Sequence, residues 1–178
     1  MGGLPAESPG LSVLPRDREA AVSALYVAHH GSLVGLARLL VDDLATAEDV
    51  VQDAFAALYR RWPFLRDRDA AYGYLRRSVV NGANSHLRRL RTFRSAVSER
   101  IATAPSPETN VLADEQQAAL WAGLRALPRR QRQVLVLRYY LELSEAEIAT
   151  TLGISRGSVK QHASRGLDAL TGRMEAVR

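Results

Sequence analysis

The sequence predicts an all-α fold, two small helical units joined by a flexible linker, for this 178-residue chain. Three observations lead there. Apolar residues recur at helical spacing in stretch after stretch, and no alternating strand pattern competes with them. Between residues 95 and 113 that pattern gives way to Ala, Ser and Thr, with Pro105 and Pro107 blocking a helix. The expected organisation is a disordered leader over 1–15, a helical unit over 16–94, a linker over 95–113 and a second helical unit over 114–178.

The leader holds glycine, three prolines and serine without periodicity. From Asp17 to Val41 the stripe Val22, Leu25, Tyr26, Leu33, Leu36, Ala37 and Leu40 marks one helix face, with Gly31 a candidate interruption. A second helix is expected from Thr46 as cap. Glu48 and Asp49 suit its positive end, Ala47, Val50, Val51, Ala54, Phe55, Leu58, Tyr59 and Trp62 form its stripe, and Pro63 ends it. Asp69 is the expected cap of a third, whose stripe is Tyr72, Leu75, Val79, Ala83, Leu87 and Leu90. Beyond the linker, Gln116, Ala119, Leu120, Gly123, Leu124 and Leu127 restore the helical pattern. Pro128 then opens another helix through Val134, Leu135 and Leu137 to Tyr140.

The stretch Ser144–Leu170 has the marks of a helix-turn-helix. Ser144 and Glu147 form an S-x-x-E capping box. Ala149 is small where a second helix must cross, Gly153 suits a turn with positive φ, Ile154 plugs it and Ser155 can cap the next helix. Val159, Ala163, Leu167 and Leu170 are expected to face inward. Arg156, Ser158, Lys160, Gln161, Ser164 and Arg165 then lie on or beside the outer face, a donor-rich set suited to phosphates and base edges. A chance helical hairpin would reproduce some of this, but not cap, Ala, Gly and Val all in register.

The 47% hydrophobic fraction is ordinary for a globular protein, and the net charge is +5. Its distribution says more than its size. Residues 1–65 carry −3, 66–100 carry +6, 101–120 carry −3 and 121–178 carry +5, so two basic blocks flank an acidic one, as two nucleic-acid contacts on one chain would require. Lys160 is the only lysine; arginine favours bidentate phosphate and guanine contacts, although a genome rich in G and C produces the same bias. There is no cysteine, hence no disulfide, thiol chemistry or cysteine zinc site. No signal peptide or apolar run of membrane-spanning length is evident, so a cytoplasmic protein without membrane insertion is expected.

Catalytic constellations are not visible. Asp42, Asp43, Glu48, Asp49 and Asp53 could hold a divalent cation, but solvated helix-start charges or a docking face for a basic partner explain them more simply. The adjacent His29 and His30 diverge on a helix, and His86 and His162 stand alone. Phosphate-binding glycine loops are missing. No metal, cofactor or enzymatic activity is therefore expected. The third helix is different: Arg76, Arg77, Arg88, Arg89, Arg91 and Arg94 surround Asn81, Gly82, Asn84 and Ser85, with Tyr72, Tyr74, Phe93 and Trp62 as aromatic surfaces. Arginines with stacking surfaces suit single-stranded DNA; a solvated basic face over a tyrosine-containing core is the alternative.

Three segments together resemble a sigma-70-type RNA polymerase sigma factor of the compact extracytoplasmic-function, sigma-E-like group. They are ATAEDVVQDAFAALYRRW, AYGYLRRSVVNGANSHLRRLR and LPRRQRQVLVLRYYLELSEAEIATTLGISRGSVKQHASRGLDAL. The resemblance covers roughly 20–94 and 114–175 and implies region 2, for core polymerase and the −10 element, followed by region 4, for the −35 element. It implies that Asp49, Gln52 and Asp53 dock on the polymerase β′ coiled coil, with the β flap a further contact, and that no cofactor is needed. Tyr72, Arg76, Arg77, Asn81, Asn84, Arg88, Arg89 and Arg91 would meet −10 DNA, with Asn81 where the family has the loop that captures a flipped base. Tyr72 stands where tryptophan is frequent. Arg156, Ser158, Lys160, Gln161, Ser164 and Arg165 would read the −35 element, and an anti-sigma factor is a further expected type of partner. A second resemblance, of VKQHASRGLDAL to response-regulator output domains, lacks the strands and acidic pocket of a receiver domain. A nucleic-acid enzyme lacks a catalytic constellation. The −10 and −35 centres lie roughly 50–70 Å apart, and nineteen linker residues reach at most about 65 Å.

Overall fold

The structure, a computed structural model, describes residues 17–97 and 115–175. The expected leader and most of the expected linker lie outside them. The described residues form seven helices and no strand: α1 (Arg18–Leu40), α2 (Leu44–Arg61), α3 (Ala71–Val97), α4 (Glu115–Arg125), α5 (Arg129–Tyr139), α6 (Glu145–Leu152) and α7 (Arg156–Glu175), with one 3-10 turn at Trp62–Phe64.

Local chemistry explains where they start and stop. The Asp17 carboxylate accepts from the Ala20 amide at 3.3 Å and starts α1, which runs through Gly31 without interruption. Asp43, not Thr46, caps α2: its carboxylate accepts from the Thr46 amide at 2.8 Å and the Thr46 hydroxyl at 2.7 Å. Those bonds, the backbone one first, hold the Asp43 carboxyl below its ordinary range. Pro63 ends α2 by forcing the 3-10 turn. In the loop that follows, Asp67 accepts from the Asp69 amide, making an Asx turn where Asp69 was expected to cap. The third helix then runs three residues beyond the expected boundary, to Val97.

In the second unit Pro128 is the cap of α5. The capping box at Ser144 and Glu147 is complete, and Gly153 takes the left-handed conformation, φ 64° and ψ 40°. The Ile154 amide returns to the Ala149 carbonyl, the six-to-one closure of a Schellman motif. Ser155 caps α7 through the Ser158 amide at 3.1 Å. One inward residue differs from expectation. Steps of four drift off a 3.6-residue period, so Leu167 is partly exposed while Gly166 is buried. A side chain at Gly166 would press on Leu135 of α5, so the glycine sets that close crossing.

One feature was not visible in the sequence. The two units pack against each other, α4 and α5 on α1 and α6 on α3, and share a single core containing both Leu33 and Leu36 of α1 and Val136 and Leu137 of α5. In the middle of that body lies α1. The most apolar 18 residues of α1 have a mean hydropathy of 1.3, a level that a core helix also reaches. Its inward residues Ala21, Leu25, Leu33, Leu36, Ala37 and Leu40 are buried against other helices.

Candidate nucleic-acid interface

Three surfaces carry the polar residues singled out in the sequence. On α2 the apolar residues Val50, Val51, Ala54 and Leu58 are buried, which turns Asp49, Gln52 and Asp53 together to solvent, three and four residues apart on one face. Among the described residues no group of three or more His, Cys, Asp or Glu could hold a metal ion. Asp49, Gln52 and Asp53 thus form an exposed polar face on α2.

On α3 helical spacing lines up Arg77, Asn81, Asn84, Arg88 and Arg91 along one stripe, all exposed except the half-buried Asn84. Asn81 sits in mid-helix, not in a loop, since α3 is unbroken across it. Arg89 is exposed on another side of the helix. Tyr72 and Arg76 are set apart. The Tyr72 ring stacks on His29, centroids 4.0 Å apart, and the Arg76 guanidinium lies 5.0 Å from its centroid. Burial first, then Arg76, lowers the His29 pKa below its ordinary 6.5 and favours the neutral ring against this pair. The Arg76 Nε is itself buried without a hydrogen-bond partner.

The aromatic surfaces also differ from expectation. Trp62 is buried and closes the core beneath the 3-10 turn, and Arg68 lies over its ring. Free aromatic faces are offered instead by Phe93, 67% exposed beside Arg88 and Arg89, and by Phe64, 77% exposed in the α2–α3 loop. Phe64 was missed because an aromatic just after proline looks like the end of a buried stripe. A 3-10 turn rotates it outward.

On α7 the buried Val159, Ala163 and Gly166 leave Arg156, Lys160, Gln161, Ser164 and Arg165 exposed. Ser158 is half-buried, its amide bonded to Ser155 and its hydroxyl 2.8 Å from the Ser155 hydroxyl, so it builds the helix start more than the outer face. Lys160 Nζ lies 3.8 Å from Glu145, whose other oxygen lies 3.9 Å from Arg138. Glu145 thus links α5, α6 and α7, a role the sequence did not single out.

The junction between the units uses polar groups too. Gln133, only 2% exposed, donates to the Asn84 side-chain oxygen at 2.5 Å and accepts from Arg130 at 3.2 Å. Arg125 donates to the Asp42 carbonyl at 3.2 Å, and its guanidinium is 4.0 Å from the Asp42 carboxylate. The Tyr140 ring meets α1 at Gly35, where any Cβ would collide with its hydroxyl. Burial raises the Tyr140 pKa, with Tyr72 adding to the effect. Arg132 is nearly buried and its pKa is lowered by that burial, against the pull of Asp42.

Comparison with known proteins matches residues 25–93 to the sigma-70 region 2 family and residues 117–170 to sigma-70 region 4. The RNA polymerase sigma-E factor of Streptomyces coelicolor is 36% identical over 140 residues, covering 78% of this chain and 77% of that protein. The ECF RNA polymerase sigma factor SigM of Mycobacterium tuberculosis is 31% identical over 145 residues, covering 82% and 72%. Among solved structures, the sigma factor RpoE bound to the anti-sigma factor NepR from Bartonella quintana superposes with TM-score 0.72 at 20% identity, over 88% of this chain and 98% of that one. CnrH bound to the cytosolic domain of CnrY gives TM-score 0.66 at 25% identity, over 90% and 91%.

Proposed function

Since the chain belongs to the extracytoplasmic-function group of RNA polymerase sigma factors, we propose how its surfaces divide the work of promoter-specific initiation. A sigma factor binds core polymerase, directs it to −35 and −10 elements and helps to melt the DNA. The two working units are residues 16–94 and 114–178, joined by 95–113, with α3 itself running on to Val97.

Asp49, Gln52 and Asp53 on α2 dock on the β′ coiled coil. Two carboxylates and an amide on one exposed face complement a basic partner helix. The stripe Arg77, Asn81, Asn84, Arg88 and Arg91, with Arg89 and the exposed Phe93 alongside, follows the −10 single strand: guanidinium groups track phosphates and an aromatic face stacks on bases. Arg76 and Tyr72 join it once their neighbours release them. Arg156, Lys160, Gln161, Ser164 and Arg165 on α7 enter the −35 major groove, with Ser158 holding the helix start, and the second unit also meets the β flap. The single observation that carries this reading is the capped, glycine-turned α6–α7 pair with its outward donors, on the same chain as the arginine stripe of α3.

The protein acts in the cytoplasm, without enzymatic chemistry of its own. The solved sigma factors RpoE and CnrH were captured with NepR and CnrY, and an anti-sigma factor is proposed for this chain by that likeness. Transcription by core polymerase, with and without the protein, tests the reading. Promoter-specific transcripts are expected only on its addition. D49R with D53R should weaken core binding while helicity stays intact; unchanged affinity for core would remove the α2 assignment.

A further inference from the structure

We propose that His29 of α1 is a positioning residue for engagement of the −10 strand. It backs the Tyr72 ring, so that a base stacks on the face of the ring that His29 leaves, while Arg76 beside the ring takes a phosphate. This rests on assigning Tyr72 and Arg76 to the −10 element.

The adjacent histidines of α1 are put to different uses. His30 stacks on Tyr26, whose ring lies 5.0 Å from that of Phe55 on α2, and so serves the α1–α2 packing. His29 turns to α3, its ring 4.0 Å from that of Tyr72 and within 22° of parallel. A tyrosine side chain is free to turn about two torsions, and this stack fixes its plane. The plane matters because a base stacks face to face on an aromatic ring. One face is given to His29, so the strand is directed to the other. A ring held in advance also spares the strand the cost of ordering it. Arg76 completes the arrangement. Its guanidinium lies 5.0 Å from the Tyr72 centroid, and its side chain folds back beside Gly73, where Nη2 stands 3.8 Å from the place of a Cβ. There its Nε is buried without a hydrogen-bond partner. A phosphate oxygen that accepts from the guanidinium removes that cost. Of the neighbours of Tyr72, Arg76 is therefore the one that yields to DNA and His29 the one that stays. Burial, then Arg76, keeps the His29 ring neutral, which lets it lie near a guanidinium without repulsion.

The test is made on the holoenzyme, core polymerase with the full chain bound, and reads its affinity for a fluorescent −10 single strand. Tyr72→Ala should lower that affinity about fivefold or more, the low end of what one stacked base is worth. His29→Ala should lower it by a similar factor, and His29→Phe, which keeps a stacking ring, should restore it. In the double variant the two alanines should do no more harm than one, since His29 acts through Tyr72. Affinity for core should be the same in all four variants. The positioning role is overturned by strand binding of His29→Ala equal to wild type, by a His29→Phe variant as weak as His29→Ala, or by alanine effects that multiply. A parallel fall in core affinity would overturn it too, because it would report a disturbed fold. Failure of the −10 assignment looks different: Tyr72→Ala itself would leave strand binding unchanged.

Discussion

The arginine face of α3 and the outer face of α7 are both donor-rich helices, yet one is partly covered and the other open. On α7 the residues that build the helix and those proposed to read DNA are separate sets: Val159, Ala163 and Gly166 pack, Ser155 and Ser158 cap, and the rest face water. On α3 the sets overlap, because Asn84 bonds to Gln133 of the second unit and Tyr72 stacks on His29 of α1. A groove-reading helix can be finished locally, since its duplex target is already shaped. A surface for melted strands can be held back until the strands exist.

The largest effect should come from taking away the separation the two faces need. Deleting about ten residues from the segment 95–113 is expected to abolish transcription from a normally spaced promoter while duplex binding by α7 persists weakly. Full activity of the shortened protein in the transcription assay would mean that the two faces do not act together. Next in size are the base contacts of α7. Alanine at Gln161 or Arg165 should cost about 1–3 kcal/mol on a −35 duplex if the contact is bidentate, relaxing specificity at one position. If the contact is only to phosphate, all sequences should weaken alike and the salt slope should fall by about one unit. A competition binding series across −35 variants separates these results.

Smaller again is the cap on which α6 depends. Ser144→Ala should cost about 1 kcal/mol of stability in denaturant unfolding. The Ser144 hydroxyl and amide lower the Glu147 pKa, and the Thr46 amide lowers that of Asp43. Depressed carboxyl values mean stability that is complete above the unfolded pKa values, 4.5 and 3.8, and is lost as pH falls through the folded ones. The wild type should therefore lose stability below about pH 4.5, and Ser144→Ala should flatten part of that slope in acid unfolding curves. His29 acts in the same sense: its pKa is lowered, so protonation below its ordinary 6.5 costs stability. The smallest effect expected is for Glu145→Gln. It frees Lys160 from an exposed ion pair worth little in water, and a salt titration of duplex binding should show a slope rising by less than one unit.

Much of this was legible in the residues themselves. The helix-turn-helix could be read because every signal in it is local: a capping box within four residues, a glycine that takes positive φ, a serine cap. The acidic face of α2 was legible for the same reason, since i, i+3 and i+4 spacing decides which residues share a side. Boundaries set by competing signals were less so. Thr46 and Asp43 both suit a cap, and only the fold selects Asp43. Trp62 fitted the stripe and is buried, but the turn that buries it also exposes Phe64. Least visible was the junction of the two units, made by Gly35, Asn84, Gln133 and Tyr140, residues far apart in the chain and unremarkable one by one. Pattern within a helix reports which face is covered, not what covers it.

The central position of α1 has a consequence for how the protein is made. The helices packed on it, α2, α3, α4 and α5, all follow it in the sequence. At about 5–20 residues per second, the stretch from Leu40 to Val97 takes roughly 3–11 s to synthesise. Throughout that interval the apolar face of α1, Leu25, Leu33, Leu36 and Leu40 among its residues, waits on the ribosome for the partners that will bury it. Nascent chains stalled just after α1 should therefore be retained by chaperones that hold apolar segments. Chains stalled well beyond α3, with the first unit free of the exit tunnel, should be released.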